Sequence, residues 1–299
     1  MADDTLELSA DLFSPLTNEL RVRIVVALGR HQAEHPDDRS LSFNELRDRV
    51  GGPDSGQFNY HLEQLQGPYV WHADGEYGLT LAGERVVGAI RSGTNDVDAE
   101  RGPFDIDATD PLTGEPLAVE WRNGFLVVRG VEEPVRDAGF LYREAVPPGM
   151  LSERDVESAL AFSFRVSNNR YSMFMSGVCP LCYGPADRRI EPATAGDGTG
   201  RRFRGVCTRC GHRKRGPLGV RVVHEPVVVS FFHDHGTGVR TEPYWDLEFL
   251  WDDAVLEEGA GSSAAYRLTV EAGEDRLALT VDGSGQLIES SDAGADADP

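Results

Sequence analysis

The chain has 299 residues, a formal net charge of −21 and a pI near 4.7, with Lys214 as its one lysine. That length holds two or three modules with ordinary cores, and dense carboxylate with almost no lysine suits concentrated salt, where charge is screened within about 3 Å at 1 M. It excludes nucleic-acid binding by bulk positive charge; no apolar run reaches the roughly 20 residues of a membrane span and the first residues lack the regions of a secretory signal, so a cytoplasmic protein of halophilic type is expected.

From Ser14, the run SPLTNELRVRIVVALG opens with a serine N-cap and a proline at the first helical position, and carries Leu16, Leu20, Ile24 and Leu28 at helical spacing. This predicts a helix that stops at Gly29, followed by the polar loop HQAEHPDDR. Ser42 to Glu45 form a capping box for a short helix to Val50, which GGPDS breaks. Ser55 is expected to cap a third helix, GQFNYHLEQLQ, with Phe58, Leu62 and Leu65 on one face and Gly67 and Pro68 at its end. YVWHADGEYGLTL reads as a tight hairpin around Asp74 and Gly75, the wing of the domain. Thr80 then caps a fourth helix that presents Val86, Val87 and Ile90 to a core. Residues 8–93 thus make a winged helix-turn-helix domain.

Residues 94–112 are acidic, with two prolines, and read as a linker. A hairpin at Asn123 and Gly124 follows, then a helix from Ser152 and Asp155 to about Ser176 with Val156, Leu160 and Phe164 on one stripe. After a metal-ligand segment, residues 179–210, come a helix near 226–235 and a β-meander with turns at Ala272 to Asp275 and at Asp282 with Gly283. The expected fold class is therefore α+β, a winged helix-turn-helix followed by a mixed α/β domain at residues 113–289 that contains a zinc ribbon. Residues 290–299 read as a disordered acidic tail.

With Phe58, Leu62 and Leu65 buried, the third helix turns a polar, almost uncharged face outward. Amides pair bidentately with adenine and an aromatic ring meets the thymine methyl, so Gln57, Asn59, Tyr60 and Gln64 are the candidate base readers. Ser55 and Gly56 lie at the helix N-terminus, where backbone meets phosphate, and His61 sits at the core boundary. The bland alternative is a small helical domain with solvated amides. Arg47, Arg49 and Arg85 are candidates for backbone contact, although surface arginines are common.

The run SFNELRDRVGGPDSGQFNYHLEQLQGPYVWHADGEYGLTLAGERVV resembles the winged helix of ArsR-like transcription regulators, with Asn59, Tyr60, His61, Leu62 and Leu65 matching the end of their recognition helix. More closely, the whole chain resembles archaeal, especially haloarchaeal, regulators that couple this domain to a C-terminal zinc ribbon, about 80 residues matching well and the rest loosely. The resemblance implies double-stranded DNA as partner and a homodimer whose recognition helices enter successive major grooves. The cysteine pair of the metal-sensing members is missing here, since no cysteine precedes Cys179.

Cys179-Pro-Leu-Cys182 and Cys207-Thr-Arg-Cys210 are two CxxC knuckles suited to one tetrahedral Zn2+. Gly184 and Gly211 are expected to permit the turns beneath the ion, and four protein ligands leave no place for a reacting water, so the zinc is read as structural. No acidic residue occurs from 198 to 224, a stretch holding Arg201, Arg202, Arg204, Arg209, Arg213, Lys214 and Arg215. Arg213, Lys214 and Arg215 are candidates to contact phosphate, from DNA or an anionic effector of unidentified chemistry, unless acidic neighbours neutralise them. Asp110-Pro-Leu-Thr113-Gly114 echoes the first knuckle without its cysteines, and His233 and His235 diverge too far on a helix end to share a metal. The runner-up function is a factor acting on RNA polymerase, similar to the archaeal general initiation factor E. No nucleophile elbow, phosphate-cradling loop or catalytic zinc motif occurs, so no enzymatic activity is expected.

Overall fold

The computed structural model describes residues 13–94, 100–131, 141–152, 154–193, 200–251, 255–258 and 264–292. The chain divides into two units, Met1–Asp96 and Val97–Pro299, each with its own hydrophobic core.

In the first unit Ser14 and Pro15 open a separate 3-10 turn, Ser14–Thr17, and helix α1 (Glu19–Glu34) starts afterwards. Asn18 is its cap, accepting from the Arg21 N–H at 3.3 Å. The helix therefore begins later than Ser14 and continues five residues past Gly29, where an end was expected. Gly29 serves packing instead: a Cβ there would lie 2.5 Å from a methyl of Val87, so its absence lets α1 approach helix α4 (Leu81–Arg91). Helix α2 (Phe43–Arg49) carries the expected capping box, with Ser42 Oγ accepting from Glu45 N and the Glu45 carboxylate accepting from Ser42 N at 3.0 Å.

Helix α3 (Ser55–Leu65) is capped by Asp54, whose Oδ1 accepts from Gly56 N at 2.9 Å and Gln57 N at 3.1 Å. Ser55 is thus the first helical residue and not the cap, because the carboxylate one place earlier is the stronger acceptor for these N–H groups. Strands β1 (Leu41–Ser42), β2 (Val70–Ala73) and β3 (Glu76–Leu79) form an antiparallel sheet in the order β1-β3-β2. The β2–β3 turn at Asp74 and Gly75 has φ values of 53° and 82°. Thr80 caps α4 through the Gly83 N–H. Phe58, Leu62 and Leu65 enter the core with Ile24, Leu28 and Leu46, each burial contributing about 1.5–3 kcal/mol. Val86 and Val87 pack against this cluster, but Ile90 is exposed, since the last turn of α4 runs past the packed residues.

The second unit begins with a strand where a linker was expected. Strand β4 (Arg101–Thr109) pairs antiparallel with β5 (Pro116–Arg122), which continues through β6 (Phe125–Gly130) to β7 (Tyr142–Ala145). Phe104, Ile106 and Ala108 alternate with Asp105 and Asp107 at the period of a strand, a signal that acidic composition and Pro103 obscured. Asn123 and Gly124 turn the β5–β6 hairpin as expected, with φ values of 52° and 76°. After a short helix α5 (Gly149–Ser152), Asp155 caps the long helix α6 (Val156–Met175).

Strands β8 (Ala186–Pro192), β9 (Arg201–Cys207) and β10 (Arg213–Pro217) form a meander in the order β10-β9-β8. Helix α7 (Pro226–Asp234) precedes a second four-stranded sheet of β11 (Val255–Glu258), β12 (Ala265–Ala272), β13 (Asp275–Asp282) and β14 (Leu287–Asp292). Residues 290–292 of the expected tail thus lie in β14, and 293–299 fall outside the described residues. One core joins α6, both four-stranded sheets and β9, with Trp121, Phe164, Phe174 and Phe203 almost fully enclosed. The protein is mixed α/β with antiparallel sheets, and no described helix is long and apolar enough to cross a membrane.

Candidate functional site

The four cysteines converge. Cys179 and Cys182 lie between α6 and β8, Cys207 ends β9, and Cys210 precedes β10. Their sulfurs lie within 4.8 Å of one another, with Cys179 to Cys210 at 3.8 Å and Cys182 to Cys207 at 3.5 Å. Backbone folds each knuckle around a sulfur: Leu181 N–H approaches Cys179 Sγ at 3.4 Å, while Arg209 and Cys210 N–H approach Cys207 Sγ at 3.3 and 3.4 Å.

The N–H groups of Cys210 and Arg209 hold the Cys207 thiol down at about 6. The Cys210 thiol accepts an N–H from His212, yet its neighbours Cys182 and Cys207 push it up to about 12. Four thiolates this close repel one another, and a cation at their centre is what allows all of them to ionise. Among the described residues this is the only group of three or more metal-capable side chains, and it fits a metal ion.

The turns beneath the cluster differ from expectation in one place. Gly211 takes a positive φ of 74°, but in the first knuckle Tyr183 does so, at 56°, and Gly184 does not. Gly184 instead leaves room for Arg209, whose Cβ would be 3.0 Å from an added methyl. The exposed tip of the knuckle carries Leu181 and Tyr183, which sequence reasoning passed over. His235 is engaged by the Phe231 carbonyl and by Asp275 at 3.0 Å.

The outer face of α3 is the second candidate. Ser55, Gly56, Gln57, Asn59, Tyr60 and Gln64 are exposed and His61 is half-buried, its ring edge-on to Tyr60. Asn59 is less free than expected, because its Nδ2 donates to Glu63 Oε1 at 2.7 Å. Among the described residues the Gln57 and Gln64 side chains make no hydrogen bond within the protein. An aromatic partner that the sequence reading missed is Trp71, exposed on β2, whose ring lies so close over Gly78 that a Cβ there would meet it at 2.3 Å. Arg49 is paired with Glu34 at 3.4 Å and Arg47 approaches Asp48 at 3.7 Å, while Arg85 stays exposed.

The arginine-rich stretch does not act as one surface. Lys214 turns inward, where its Nζ meets Glu144 and donates to Ser167 Oγ at 3.0 Å, so it is withdrawn from any external phosphate. Arg215 is paired with Glu191 at 3.3 Å, a carboxylate that also takes Arg204 and Arg189. Strand alternation decides the difference, since Arg213 and Arg215 point to the side opposite Lys214. The echo at Asp110 is a turn in which Oδ1 accepts from Leu112 and Thr113 N–H.

Fold and site together define a mixed α/β protein with a four-cysteine cluster able to hold a metal ion. Residues 112–287 match the family model described as a domain of unknown function (DUF7351), more than half of the chain, and the protein belongs to that family. Residues 9–90 match a second model, also described as a domain of unknown function (DUF7347). No curated protein and no solved structure matches the chain.

Proposed function

We propose that this protein is a sequence-specific DNA-binding transcription regulator of the ArsR-like winged-helix type, acting as a homodimer and carrying a structural zinc. The observation that carries the reading is the outer face of α3. A helix that buries Phe58, Leu62 and Leu65 and leaves Gln57, Tyr60 and Gln64 exposed, the amides unengaged, has the chemistry that reads base edges in a major groove. The β2–β3 hairpin takes the part of the wing, with Trp71 available to it.

Zinc is the metal that the donor set favours. Four thiolates are soft ligands, and at a Zn–S length of about 2.3 Å a tetrahedral site has sulfurs about 3.8 Å apart, against 3.8 and 3.5 Å here. When bound, the ion would be held by Cys179, Cys182, Cys207 and Cys210 and would supply folding energy to the β8–β10 meander.

The test is selection of random duplexes by the purified protein in ~1 M KCl, where non-specific phosphate attraction is suppressed. Enrichment of a two-half-site motif, lost by a Gln57→Ala, Tyr60→Ala variant, supports the reading; absence of enrichment rejects it. The exposed Leu181 and Tyr183 favour a second reading, a factor that docks on RNA polymerase. Co-purification with polymerase, abolished by Leu181→Ser with Tyr183→Ser, distinguishes it.

A further inference from the structure

The β8–β10 meander recovers across strands what alternation takes from the arginine-rich stretch. Phe203, Gly205 and Cys207 on β9 are buried, while Arg188 on β8 and Lys214 on β10 reach inward, to the Met175 carbonyl and to Glu144. The alternate residues therefore lie on the outer face: Asp187, Arg189 and Glu191 on β8, Arg204 on β9, Arg213 and Arg215 on β10.

The register lines up three of these arginines. Arg189 pairs with Arg204 and Arg204 with Arg215, so one row across the sheet holds three arginines whose backbones are about 4.8 Å apart. Like charges directly opposite one another destabilise a sheet. Glu191 counters the row, meeting Arg189 Nε at 3.2 Å, Arg215 Nε at 3.3 Å and an Arg204 Nη at 3.5 Å. A row that works against its own strand pairing is the kind of local conflict that a contact surface explains.

The cations cover their counter-ion. The Arg189 side chain is 61 % exposed and that of Glu191 22 %, so an approaching solute meets guanidinium before carboxylate. Arg189 spends its Nε on Glu191, and a guanidinium has further N–H donors for an outer acceptor. Arg213, two residues before Arg215 on the same face, is exposed and among the described residues makes no ion pair. Four arginines thus share this face with Asp187 and Glu191, a positive excess among the described residues in a chain of charge −21.

We propose that Arg189, Arg204 and Arg213 on the outer face of the meander grip the phosphate backbone of duplex DNA, with Glu191 as an internal counter-ion that competes with the phosphates. The guanidiniums are spread over two rows of an open sheet face, which suits a repeating polyanion better than one small anion. The proposal rests on the DNA-binding reading above and adds to it a contact that carries no sequence information.

The experiment uses the full chain and a random-sequence duplex of about 30 base pairs, with affinity followed across KCl concentration. Arg189→Gln with Arg213→Gln should lower the steepness of log K against log[KCl] by about 2, equally for every duplex. Glu191→Gln removes the competing carboxylate and should raise affinity a few-fold, the scale of an exposed ion pair. Circular dichroism and metal content check that the variants are folded. The Gln57→Ala, Tyr60→Ala variant should keep the wild-type slope and lose only selection. An unchanged slope in the folded arginine variant overturns the surface even if selection by α3 is intact. Inorganic phosphate that binds the wild type and not the arginine variant, with the duplex slope unchanged, assigns the face to a small anion instead. A reduced slope without selection by the wild type upholds the surface and rejects base reading. Failure of the wild type to hold any duplex overturns both.

Discussion

Lys214 Nζ meets the Glu144 carboxylate inside the second unit, and the same carboxylate takes Arg170. The chain's one lysine is therefore spent in the interior. Glu144→Gln leaves two cations with no anion and should cost about 3–5 kcal/mol, whereas Lys214→Met leaves Arg170 on Glu144 and should cost less. Urea denaturation orders the two variants, and equal losses would mean that Arg170 alone does not hold the carboxylate.

The same site gives an acid dependence. Burial raises the pKa of Glu144, but Lys214 and Arg170 outweigh burial and hold it below the ordinary value of 4.5. A lowered folded pKa contributes stability that is whole above 4.5 and is lost as pH falls through the lower folded value. Denaturation midpoints of the wild type should show this loss, and those of Glu144→Gln should not.

His224 is the second acid-sensitive group. Burial, then Arg240 and Arg221, lower its pKa from 6.5 to about 4, and among the described residues its Nε2 has no hydrogen-bond partner. The unfolded chain takes up this proton first, so stability should fall between pH 6.5 and 4, by roughly 2–3 kcal/mol. His224→Leu should flatten that limb; a wild-type slope in the variant would assign the protonation elsewhere.

Gly29 gives a test of opposite sign to helix propensity. Glycine to alanine in a helix interior ordinarily stabilises by up to about 1 kcal/mol. Here the new methyl meets Val87 at 2.5 Å, so Gly29→Ala should destabilise by about 1–3 kcal/mol. Adding Val87→Ala should recover part of the loss in thermal unfolding, and a stabilised single variant would refute the contact.

Removal of metal should unfold the β8–β10 meander, because its knuckles are closed around the four sulfurs. Cobalt(II) substitution should give the thiolate charge-transfer bands of a tetrahedral site, and Cys179→Ser or Cys207→Ser should weaken them. Octahedral cobalt spectra would contradict the four-thiolate site.

Much of this protein was legible in the chain because the deciding physics was local. Ser42 with Glu45, Thr80, the Asp74–Gly75 and Asn123–Gly124 turns, the Phe58–Leu62–Leu65 stripe and the two CxxC knuckles each act over a few residues and formed as read. Where local signals competed, the reading slipped: Asp54 outranked Ser55 as cap, and acidic alternation in β4 passed for a linker. Only the tertiary structure decided that Gly29 is a contact with Val87 and that Lys214 faces Glu144. These partners lie tens of residues apart, and packing, burial and strand register choose among them in ways that no window of sequence contains.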